Sequence, residues 1–223
     1  YEAVPAGPMY ARAEAAAVRA LALDSTLAEP HAVLGMQQTH VRGGQAERHF
    51  REALRLNPNY ATAHHWYSIY FAERGRYDDQ LRQILLARSL DPLSPIIQAN
   101  VGKAYLHLRR FDESLTAYRE LLAMEPDFGF GHAVLAEALA VAGRTEEAAA
   151  SARRALDILG EEAHPEVLTT AGYALARAGD HETAARIART LEGQAELQGV
   201  RPGAWGPAQV HVGLGDHDLA LEW

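Results

Sequence analysis

The chain has 223 residues, 48% of them apolar, a formal net charge of −8 and no cysteine. That is enough apolar material for a continuous core in one large domain or two small ones. The acidic balance and the lack of any basic run argue against nucleic acid or an anionic membrane as partner, and the missing cysteines exclude disulfides, zinc ribbons and thiol nucleophiles.

The start, Tyr1-Glu2-Ala3-Val4-Pro5, lacks the basic and apolar regions of a secretion signal and an initiator methionine, so the chain reads as a piece of something longer. No apolar stretch reaches the roughly 18 residues that span a bilayer. A cytoplasmic setting is the expectation.

Residues 1–25 read as the second helix of a partial hairpin. Whole hairpins are then predicted at 28–58, 61–92, 95–126, 129–160 and 165–191, with a truncated one at 201–223. The prediction rests on period. A small residue, or its stand-in Gln80, recurs at Ala13, Ala46, Gln80, Ser114, Ala148, Ala184 and Ala220, in steps of 33, 34, 34, 34, 36 and 36. The inter-helix turn keeps the same beat at Gly75, Arg109, Gly143, Gly179 and Gly215, where glycine ends a helix cheaply, with Arg109 as the exception. Pro58, Pro92 and Pro126 close successive hairpins, because a proline cannot continue a helix. The Gly- and Pro-rich stretch from Gly193 to Pro207 is expected to be irregular. The whole, 1–223, is expected to be a single domain.

This register resembles the tetratricopeptide repeat. His31, Leu34, Gly35, Gln38, Ala46, Phe50 and Pro58 fill the pattern once; His64, Tyr67, Ser68, Phe71, Gln80, Ile84 and Pro92 fill it again. Gln98, Val101, Gly102, Tyr105, Ser114, Tyr118 and Pro126 follow, then two weaker copies around Leu135 and Leu168. The resemblance implies an all-α fold, a right-handed α-solenoid, or superhelix, of stacked antiparallel helix hairpins. It also implies a concave groove lined by the first helix of each hairpin, where a protein or peptide partner binds. A narrower resemblance lies in Ala63-His64-His65-Trp66-Tyr67, Gly75-Arg76-Tyr77-Asp78 and Leu90-Asp91-Pro92-Leu93-Ser94-Pro95-Ile96-Ile97. These resemble the repeats that follow winged-helix, Ser/Thr kinase or nucleotide cyclase domains in bacterial signalling proteins, and imply a regulatory or partner-docking arm.

Register then selects groove residues: His65, Trp66, Ile69, Asn100, Lys103, His107, Phe130, Glu137, Tyr173 and Arg177. Trp66 and Tyr173 would serve as aromatic anchors, Asn100 would bond an extended backbone, and Lys103 would meet a carboxylate. His65 and His107 offer a pH-sensitive contact. Only Asn100 and Lys103 fit a carboxylate clamp of the kind some tetratricopeptide domains use, so a full clamp is rejected. His31, His64 and His132 share one repeat position, which is what packing produces, and no metal site or cofactor is expected. No phosphate-binding loop or nucleophile elbow occurs, so no enzyme is expected. The competing reading is a structural arm that self-associates, as a homodimer, through its end helices while the groove stays passive.

Overall fold

The computed structural model describes residues 6–39, 45–160, 163–198 and 205–223. The chain divides into two compact units, residues 1–108 and 109–223. Among the described residues, both are built of α-helix alone. The first holds α1 (Ala6–Leu23), α2 (Ala28–Gln37), α3 (Ala46–Leu56), α4 (Ala61–Ala72), α5 (Tyr77–Leu90) and α6 (Pro95–His107). The second holds α7 (Phe111–Met124), α8 (Gly129–Val141), α9 (Thr145–Leu159), α10 (Pro165–Arg177), α11 (His181–Gln198), α12 (Trp205–Leu214) and α13 (His217–Glu222). The helices alternate as first and second members of hairpins in the register of the sequence, which is the α-solenoid class.

The repeated small positions are contact points. Ala46, Ser114, Ala148 and Ala184 are fully buried, and so are Phe50, Ile84 and Tyr118, the large residues four places after Ala46, Gln80 and Ser114. In the first unit a side chain added at Gly35 would come within 2.9 Å of the Phe50 ring. Glycine is therefore what lets α2 lie close against α3. Phe50 continues into a cluster with Tyr67, Tyr70 and Phe71. Its ring stacks on Tyr67 at 5.1 Å, and Tyr67 meets Phe71 at 4.2 Å. The phenol hydroxyls of Tyr67 and Tyr70 donate to the two carboxylate oxygens of Glu47 at 3.3 and 3.1 Å, so the polar ends of this aromatic block are paired. Arg74 lies over the Tyr70 ring and donates to the carbonyl oxygens of Thr39 and Tyr70, the free acceptors at the ends of α2 and α4.

In the second unit the same close approach recurs at Gly172, where a Cβ would sit 2.9 Å from Val210 of α12 and 3.0 Å from Ile187 of α11. Gly193 does not break α11, which runs on to Gln198 with Leu191 and Ala195 buried on either side of it. Trp205, Gly206 and Pro207 open α12, where a proline in the first turn removes no helical hydrogen bond. The expected irregular stretch is thus helical on both flanks. Its middle, residues 199–204, lies outside the described residues.

Gly75, Gly143, Gly179 and Gly215 all adopt positive φ, from 66° to 89°, at the turns inside the hairpins. Arg109 adopts it too, at φ 59°, and is the one non-glycine residue to do so among the described residues. An L-residue there carries roughly 1 kcal/mol of strain that glycine avoids. Arg109→Gly should therefore raise the unfolding free energy by about 0.5–1 kcal/mol, and Gly143→Ala should lower it by about 1 kcal/mol. Urea denaturation of both variants beside the wild type measures each sign; a destabilised Arg109→Gly protein would contradict the strain argument.

Candidate functional site

Three helices of the first unit converge on a cleft of about 270 Å³. Ile69, Ala72 and the capping residue Glu73 come from α4, Tyr77 and Gln80 from α5, and Asn100, Lys103 and His107 from α6. The spacings of three, four and seven residues place each set on one helix face. Six of the eight lining side chains carry a polar atom, Ile69 and Ala72 being the apolar two. Lys103 is the single lysine among 21 Lys and Arg residues.

His107 is held in this cleft by two side chains of α5. Its Nδ1–H donates to Gln80 Oε1 at 2.8 Å, and its ring lies 4.9 Å from that of Tyr77. Burial, helped by the nearby Lys103 ammonium, pushes its pKa down to about 4. The ring is thus neutral at physiological pH and keeps an acceptor at Nε2. Gln80 is buried where the other hairpins carry a small residue, and the imidazole contact accounts for the larger side chain. Asn100 is turned back on its own helix, with Nδ2 donating to the Ile96 carbonyl at 2.8 Å.

Of the six groove residues expected in this unit, Ile69, Asn100, Lys103 and His107 line the cleft, and His65 and Trp66 are not among its lining residues. Trp66 is half-buried, packed against both the Phe50–Phe71 cluster and the small cluster of Ala32, Ala53 and Ala63. His65 is buried, its Nε2 has no hydrogen-bond partner, and burial pushes its pKa down to about 4. The expected pH-sensitive contact is therefore corrected for both histidines: desolvation moves their titration well below the physiological range. The lining residues that register alone missed are Ala72, Glu73, Tyr77 and Gln80. Two of them, Tyr77 and Gln80, stand on a second helix, beyond the reach of a register that follows first helices. The departure of Gln80 from the small-residue series was the available clue.

The other four expected residues stand in the second unit. Phe130 meets Phe128 edge-on with ring centres 6.0 Å apart. Glu137 accepts from Gln209 Nε2 at 3.4 Å. Tyr173 lies against α12, where a Cβ on Gly213 would come within 3.1 Å of its ring, and Arg177 is exposed. Among the described residues no group of three or more His, Asp or Glu side chains is placed to hold a metal ion, and no helix is long and apolar enough to cross a membrane.

The two imidazoles lowered furthest, those of His65 and His107, contribute a pH dependence. Each has a folded pKa of about 4 against 6.5 in the unfolded chain, so between those values the unfolded state binds more protons and stability falls as pH falls. The contribution is complete above pH 6.5 and gone below 4. Its slope is on the order of 1 kcal/mol per pH unit for His65, and less for the more exposed His107 because solvent screens it. Urea titrations at pH 7.5, 6, 5 and 4.5 should show this slope, and His65→Asn with His107→Gln should flatten it. An unchanged slope in the double variant would rule these two groups out as its source.

The tetratricopeptide repeat family model matches residues 42–95 and 100–165, together more than half of the chain. No curated protein matches it. Among solved structures, PilW, a widely conserved type IV pilus biogenesis factor, aligns with a TM-score of 0.68 and 23% identity over 87% of this chain and 91% of its own. Pseudomonas aeruginosa PilF aligns with a TM-score of 0.65 and 19% identity over 92% and 90%. YrrB, a TPR protein with an unusual peptide-binding site, aligns with a TM-score of 0.55 and 16% identity over 92% and 96%. At these identities the likeness is one of fold alone, the α-solenoid. With the hairpin period, the buried plugs and the family match in one register, the chain belongs to the tetratricopeptide repeat family.

Proposed function

We propose that the chain is a scaffold that binds a peptide or partner segment, without catalysis of its own, and that the first unit's cleft between α4, α5 and α6 is a principal contact. The observation that carries this reading is the convergence of Ile69, Asn100, Lys103 and His107 with Tyr77 and Gln80 in one open cleft. Lys103 supplies a point charge for a carboxylate, the neutral His107 Nε2 accepts a backbone N–H, and Ile69 and Tyr77 provide apolar area. The peptide-binding site of YrrB is a precedent on the same fold. His65 and Trp66 belong to the proposed set in the first unit, and Phe130, Glu137, Tyr173 and Arg177 form a separate proposed set in the second.

The resemblance of residues 63–67, 75–78 and 90–97 to bacterial signalling repeats supports a finer reading. In it the scaffold is the cytoplasmic regulatory arm of a larger signalling or transcription-regulatory protein. A second reading, self-association through the end helices, is favoured by Val18 and Leu23 of α1 and Leu221 of α13, all more than half exposed.

Panning a displayed random-peptide library against the folded chain separates the two. Peptides selected on the wild type should bind the Lys103→Glu variant at least tenfold more weakly, with its circular dichroism unchanged. Equal binding would remove the cleft from the site. A dimer in concentration-dependent sedimentation with no peptide enrichment would favour self-association.

A further inference from the structure

Three hairpins carry a histidine at the same register position, and the structure shows what each does. His64 Nε2–H donates to the Pro58 carbonyl at 2.9 Å while its Nδ1 lies 2.6 Å from the side-chain amide oxygen of Gln83 on α5. His132 Nε2–H likewise donates to the Pro126 carbonyl at 2.9 Å. These rings tie a first helix to the turn before it or to its second helix, as packing predicts.

The first hairpin differs in the partner side chain. One repeat of 34 residues before Gln83 stands His49, and the His31 and His49 Nδ1 atoms face each other at 3.1 Å, one from α2 and one from α3. The ring centres are 5.4 Å apart, and both rings are half-buried. Where the second hairpin pairs an imidazole with a side-chain amide, the first pairs two imidazoles, which is the donor set that borderline transition ions prefer. We propose that His31 and His49 form a binding site for a divalent ion of the Zn2+, Ni2+ or Cu2+ class, clamping α2 to α3.

Two imidazole nitrogens bound to one such ion at about 2.0–2.1 Å lie roughly 2.8–3.4 Å apart for angles between square-planar and tetrahedral. The observed separation falls inside that range, so a tilt of the two rings toward a common point suffices. An ordinary imidazole is mostly neutral at pH 7, so each ring can serve as a ligand there. The ring that carries the Nδ1 proton moves it to Nε2 through water, and no net proton is released. Arg48 and Arg55 oppose the added charge, and Glu52, whose carboxylate acts on His31 in the opposite sense, offsets them. Its ion pair with Arg55 is an exposed i,i+3 contact of small worth, so Glu52 can turn toward the ion. With two protein nitrogens and water filling the other positions, the ion is exchangeable.

The repeat itself supplies the control. His49→Gln restores the His–Gln pair that the second hairpin already uses, so the variant should fold. Ni2+ titrated calorimetrically into the wild type at pH 7.5 should bind saturably, and binding should weaken at least tenfold in His49→Gln. Gln83→His should add a second binding equivalent, and Cu2+ spin resonance of the wild type should show two equatorial nitrogens. Equal Ni2+ binding by wild type and His49→Gln would place the ion on other histidines. An absence of saturable binding below millimolar Ni2+ would likewise overturn the proposal.

Discussion

A helix hairpin leaves one flank uncovered, and here that flank is closed by a large side chain set against a place where no side chain can stand. Phe50 against Gly35, and Ile187 with Val210 against Gly172, are two instances of this contact. Close packing makes it unforgiving, since even a methyl group at either glycine would collide with a buried neighbour. The 33- to 36-residue period follows from it. Each hairpin must present one plug and one gap at a fixed rise along the stack, so insertions are confined to the turns.

The turns carry a second constraint. A chain that reverses within a few residues between two antiparallel helices passes through positive φ, and among the described residues four of the five such hairpin turns meet this with glycine. Arg109 meets it with strain, which stacking tolerates because the helices on either side are fixed by their own buried faces. Such a residue shows local preference yielding to tertiary packing.

The cleft arises where the packing rule is relaxed. At Gln80 a polar amide occupies a position that is Ala or Ser in other hairpins, and it stays buried because His107 donates to it. One substitution in the packing series thereby fixes the ring of a cleft residue in a single tautomer, beside the chain's single lysine. The same logic separates His31 from His64: their register is shared, and the partner on the second helix decides whether the ring meets a side-chain amide or a second imidazole.

The architecture was legible in the sequence because it depends on residue size at a fixed spacing, and size and spacing are properties of the chain itself. Ala46, Ala148 and Ala184, the turn glycines and the closing prolines could be read without coordinates, and so could the family. What tertiary structure decided was which polar groups meet. The sequence placed Asn100, Lys103 and His107 on one helix face but could not bring Tyr77 and Gln80 to them from α5. It could not tell that Trp66 packs against core clusters, or that desolvation takes His65 and His107 out of the physiological titration range. Nor did it announce that His31 and His49, 18 residues apart, point at each other. Contact between helices and loss of water depend on where neighbouring chains of atoms lie in space, and no one-dimensional pattern records that.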